Sequence, residues 1–133
     1  MIAYDTNVLI YALEGVSSWS KSAQAIVQQG EHEGAMLSVL VWQELMTGAV
    51  MRGGGLDKKL AIILNDLGAT KFVPVSLSIC ERATYLTKRY GKQFYGYDAI
   101  HIATAIEHKV EFFITNDREL LSLKLDELKI LSL

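Results

Sequence analysis

Residues 1–13 read MIAYDTNVLIYAL. Met1 to Tyr4 has the character of a buried strand, Val8 to Leu13 that of an apolar helix, and a carboxylate, Asp5, stands at the joint between them. A strand that runs straight into a helix opens an α/β unit, and the rest of the chain continues the alternation. Short runs rich in Val, Ile, Phe and Leu predict strands at 2–4, 35–37, 71–75, 111–115 and 129–131. Stretches of helical period between them predict helices at 7–13, 19–29, 39–51, 56–67, 77–90, 99–109 and 118–121. The pattern describes an α/β domain, a mainly parallel sheet of about five strands between two helical layers, with residues 1–133 as one domain and no linker long enough to divide it.

The bulk composition agrees. Half of the 133 residues are hydrophobic, 21% are charged and only one is proline, which excludes a disordered chain and supports a packed core. Cys80 is the only cysteine, so no internal disulfide is available and a reducing cytoplasm is the expected setting. The longest apolar stretch, 35–42, is too short to span a bilayer, so no membrane association is expected. Formal net charge is −2, so binding to nucleic acid would need a local basic patch or a bound cation. Gly53, Gly54 and Gly55 lack the Lys and Ser/Thr of a phosphate loop and read as a helix stop and turn.

Open parallel sheets bind ligands beyond the carboxyl ends of their strands. Asp5 falls at that edge after the first strand, and Asp117 falls there after the run FFIT. Glu44 lies inside SVLVWQELMTGAV, a helix almost free of charge, where a carboxylate is costly unless something satisfies it. Asp98 begins the helix DAIHIATA, whose small residues allow close packing on the sheet. Taken singly, Asp5, Asp98 and Asp117 also suit helix N-caps, which are commoner than metal ligands at such joints. Four acids at one sheet edge favour a site. Convergent carboxylates repel unless a cation lies between them, and an oxygen-rich set suits Mg²⁺ or Mn²⁺ better than zinc. With such ions, the natural chemistry is phosphodiester hydrolysis.

The segments YDTNVLIYAL, SVLVWQELMTGA, YDAIHIATA and ITNDREL arrive in an order and at spacings that resemble a PIN-domain ribonuclease, most closely the VapC-type toxins of toxin–antitoxin pairs. The resemblance covers essentially the whole chain. It implies a PIN-like three-layer α/β/α sandwich and a Mg²⁺- or Mn²⁺-dependent endoribonuclease acting on RNA. It also implies that Asp5, Glu44, Asp98 and Asp117 are the catalytic, metal-site residues, with Asp5 and Asp98 the most central. Thr115 and Asn116 match positions that support the site or approach phosphate. Thr6 and Asn7 match the DTN signature and are expected to cap the first helix and orient Asp5. His101, one turn beyond Asp98, is placed to hydrogen-bond a site carboxylate.

In TKRYGKQFYGYD, Lys88, Arg89 and Lys92 alternate with Tyr90, Phe94, Tyr95 and Tyr97 just before Asp98, a composition that suits phosphate contact and base stacking. It equally suits a helix end, with Gly91 as the stop and some rings in the core. Ile10, Tyr11, Leu13, Trp19, Ile26 and Val27 exceed what one covering layer needs, which points to a homodimer face or a groove for an antitoxin segment. Two other functions compete with the nuclease. One is an idle PIN-like domain that binds RNA or protein. The other is a haloacid-dehalogenase-like phosphotransfer enzyme, which normally has a second Asp where this chain has Asn7.

Overall fold

The computed structural model describes residues 1–133. Its elements follow in the order β1 (Ile2–Tyr4), α1 (Thr6–Glu14), α2 (Ser20–Glu33), β2 (Ala35–Ser38), α3 (Val39–Arg52), α4 (Leu56–Leu64), β3 (Thr70–Val73), α5 (Leu77–Tyr90), α6 (Gly96–Glu107), β4 (Phe112–Thr115), α7 (Arg118–Leu121) and β5 (Lys129–Ser132). The five strands form one wholly parallel sheet in the order β3-β2-β1-β4-β5. The chain therefore adds strands on one side of β1, then crosses back to pair β4 with its other side. Connections diverge around the β1/β4 pair, and the crevice this leaves at the carboxyl edge is where open α/β sheets take ligands.

Alternation along each strand builds two cores. Ile2, Tyr4, Leu37 and Ile114 face a layer made by α1 to α4, with Val8, Leu9, Val41 and Leu45 among its buried members. Ala3 and Phe113 face the other layer, where α5 and α6 contribute Ile79, Leu86 and Ile102. Burying a side chain such as Leu9, Ile102 or Phe113 contributes about 1.5–3 kcal/mol. The three-layer α/β/α architecture expected from the alternation is the one observed. No helix is long and apolar enough to cross a membrane.

Where element ends differ from expectation, the backbone supplies the reason. β3 stops at Val73 rather than 75 because Pro74 has no N–H to donate. α2 runs past Gln29 to Glu33, since Gly30 is a point of close approach rather than a stop. A Cβ there would meet the Ala35 Cβ at 2.9 Å, and the helix ends instead at Gly34, with φ of 102°. Gly53 closes α3 and Gly55 opens α4, as expected of a turn. α6 begins at Gly96, three residues ahead of the expected start.

Candidate active site

Asp5 leaves β1 at the crevice and is 6% exposed. Its Oδ1 accepts the Val8 N–H at 3.2 Å, which caps α1, and its Oδ2 accepts the hydroxyl of Thr115 at the end of β4. Burial pushes the Asp5 carboxyl above its ordinary value of 3.8, against the opposing hydrogen bonds from Thr115 and Val8. Thr115 is fully buried and accepts in turn from the backbone N–H of Asp117 at 3.0 Å. Asp117 is the N-cap of α7, its Oδ1 accepting from the backbones of Glu119 at 2.8 Å and Leu120 at 3.3 Å. Asn116 stands half-buried at the rim between Thr115 and Asp117.

Two expectations about caps need correction. Asp98 is no cap: α6 is entered at Tyr95, and Asp98 lies inside its first turn, where its carboxylate is left free for other partners. Thr6 does not cap α1 either, because Asp5 already does so. The Thr6 hydroxyl reaches across to α3 and donates to Glu44 Oε1 at 3.1 Å. Asn7 has an exposed side chain and favours the Asp5 carboxylate only through its backbone N–H.

Glu44 Oε1 also meets Nε2 of His101 at 2.8 Å. A carboxylate only accepts, so Nε2 carries the proton in this contact. The bond joins α3, on one face of the sheet, to α6, on the other. His101 is 5% exposed, and its Nδ1 is buried with no partner. The Tyr97 ring lies 6.5 Å from the His101 ring at a tilt of 45°, a contact signalled in the sequence only by their i, i+4 spacing.

The four acids share one electrostatic neighbourhood. Burial raises the half-buried Asp98 carboxyl above 3.8, and the charges of Asp117, Asp5 and Glu44 raise it further, with His101 acting in the opposite sense. The side chains nevertheless stand apart, as like charges do, and no three His, Cys, Asp or Glu groups are close enough together to hold a metal ion as they are placed. In kind and charge the donor set fits a hard divalent cation. Beside it, Lys88, Arg89 and Lys92 are exposed, as are the rings of Tyr95 and Tyr97, whereas Phe94 belongs to the core. A cleft of about 630 Å³ opens along this flank between Tyr90, Gln93, Lys124 and Glu119.

The chain is a doubly wound α/β domain with carboxylates gathered where its connections diverge. The chain belongs to the PIN-domain family, whose model matches residues 2–125 and whose members are generally nucleases using divalent metals. That membership sets aside the phosphotransfer alternative. No curated protein matches the chain in sequence. Among solved structures, it is similar to a chain of a toxin–antitoxin complex from Klebsiella pneumoniae, with 24% identity and a TM-score of 0.70 over 96% of this chain and 95% of that one. A chain of VapBC2 from Rickettsia felis, bound to a promoter DNA fragment, has 18% identity and a TM-score of 0.71 over 100% and 99%. A chain of FitAcB from Neisseria gonorrhoeae has 24% identity and a TM-score of 0.70 over 88% of both chains. At these identities the likeness is one of fold.

Proposed function

We propose that the chain is a Mg²⁺- or Mn²⁺-dependent endoribonuclease and the toxin of a VapC-type toxin–antitoxin pair, acting in the cytoplasm. The observation that carries this reading is the gathering of Asp5, Glu44, Asp98 and Asp117 at one edge of the sheet, where the other three carboxylates make Asp98 harder to ionise. Asp5, Glu44, Asp98 and Asp117 would hold the cation. When bound, the cation supplies a nucleophilic water and neutralises charge on the phosphodiester. The chain's own residues orient and bind. Thr115 fixes Asp5, Asn116 faces the approach to phosphate, and Lys88, Arg89 and Lys92 offset the negative edge so that an RNA backbone can draw near. Tyr95 and Tyr97 offer exposed faces on which unpaired bases can stack.

The partner reading rests on a groove of about 210 Å³ between α1, α3 and α4, lined by Ile10, Leu13, Leu45 and Ile63, with Arg52 and Lys59 at its edge. This groove would receive an antitoxin segment whose apolar side chains cover what α1 leaves open; a homodimer is proposed as well, and light scattering that finds a strict monomer at high concentration would remove it. The solved complexes from Klebsiella, Rickettsia and Neisseria support a fold that receives such partners.

The test is a cleavage assay on metal-stripped protein with a mixed pool of structured RNAs. Internal cleavage should appear only on addition of Mg²⁺ or Mn²⁺, and Asp5→Asn or Asp98→Asn should abolish it. Equal cleavage by all three proteins would point to a contaminant. Tight RNA binding without cleavage by wild type would establish the idle, binding-only alternative.

A further inference from the structure

Glu44 differs from the other three acids in how it is held. Asp5 and Asp117 are caps anchored by backbone N–H groups, and Asp98 projects from the first turn of α6. Glu44 lies mid-helix in α3, where no backbone donor is free, and depends on two side chains from other elements: Thr6 from α1 at 3.1 Å and His101 from α6 at 2.8 Å. Both donate to the same oxygen, Oε1. Oε2 has no hydrogen bond within the chain and is not a buried atom, so it stays open to a further partner.

We propose that Thr6 and His101 form a clamp that saturates Oε1 of Glu44 and reserves Oε2 for the divalent cation, with His101 as a positioning residue that fixes Glu44 relative to Asp98 on its own helix. The inference rests on the metal-dependent reading given above. Three observations support a dedicated arrangement. The imidazole is 5% exposed, and its Nδ1 has no partner, an unfavourable burial that the Nε2 contact must offset. The bond links opposite helical layers, so it sets the spacing of two carboxylates that no shared element sets. It also closes a chain of contacts around the sheet edge: the Asp117 N–H to Thr115, Thr115 to Asp5, the adjoining Thr6 to Glu44, and His101 to Glu44.

The experiment is a Mn²⁺ titration, by calorimetry or by the Mn²⁺ paramagnetic resonance signal, of wild type, His101→Phe, His101→Gln and Thr6→Val. Each is measured alone and in a Glu44→Ala background. Losing a group that orients a ligand weakens metal binding about 10- to 100-fold, so His101→Phe should raise the Mn²⁺ dissociation constant by about 10-fold or more. His101→Gln, whose amide can still donate to Oε1, should recover most of that loss, and Thr6→Val should show a smaller one. In the Glu44→Ala background, all three should shift the dissociation constant by less than about twofold, since the clamp has nothing left to hold. A purely structural histidine would lower the melting temperature yet leave Mn²⁺ affinity unchanged, or would weaken it equally in both backgrounds; either result overturns the clamp while leaving the metal reading intact. Failure of wild type to bind Mn²⁺ would overturn both.

Discussion

Asp5 shows how one residue serves structure and chemistry together. One oxygen terminates α1 and the other is tied to β4, so the carboxylate that caps the helix is also fixed beside the crevice. Asp98 is the opposite case, a carboxylate with no capping duty held among three like charges. Its carboxyl titrates above 3.8 when folded, so the folded state keeps a proton that the unfolded state has already released. Between those two values the native chain binds more protons, and stability falls as pH rises. The group's contribution is fully present below the unfolded value and is lost as pH climbs through the raised one. In chelator, wild type should therefore lose ground to Asp98→Asn as pH rises from 3.8 through this window. Thermal melts of both proteins across the acid range check it. A difference that stays constant, or moves in favour of wild type, as pH rises would mean that neither burial nor neighbouring charge raises the Asp98 carboxyl.

At the scale of elements, two kinds of N-cap can be separated by experiment. Ser76 caps α5 by accepting from Ile79 at 3.2 Å, far from the acids in function, while Asp5 caps α1 within the site. Ser76→Ala should cost about 1 kcal/mol in stability and leave RNA cleavage unchanged. Asp5→Asn should do the reverse, because Asn caps as well as Asp but lacks its charge. Denaturant melts and the cleavage assay, run on both variants, test this crossed pattern; parallel losses in both would make Asp5 only a cap. The elements themselves were legible from periodicity, and each expected strand and helix is present. What the sequence could not disclose was which oxygen or hydroxyl meets which. Thr6 reads as a capping residue by position, yet it sits next to a better cap and turns its hydroxyl to α3. His101 could be matched to a carboxylate by helical spacing, but only the packing of two layers makes that carboxylate Glu44 rather than Asp98.

For the whole molecule, topology is what turns four scattered acids into one site. Asp5 and Asp117 follow β1 and β4, neighbours in the sheet though 112 positions separate them in the chain. Alternation of elements foretold a shared edge; the crossing from β3 back to β4 gives it a crevice. Folding therefore assembles mutual repulsion as well as a core, and stability should respond to whatever relieves it. Asp117 is the charged neighbour that raises Asp98 most. Asp117→Asn removes that charge and keeps a competent cap for α7, so in chelator the variant should melt higher than wild type. Cation binding to the native state adds roughly 2.7 kcal/mol when free metal is a hundredfold above its dissociation constant. Wild type should therefore gain more from Mg²⁺ or Mn²⁺ than the variant, which offers the cation one charge fewer, and the order of melting should narrow or invert in metal. Paired melts, with chelator and with metal, decide the matter. If Asp117→Asn melts lower in chelator and responds to metal as fully as wild type, then Asp117 is a cap alone, and the remaining three acids must hold the cation without it.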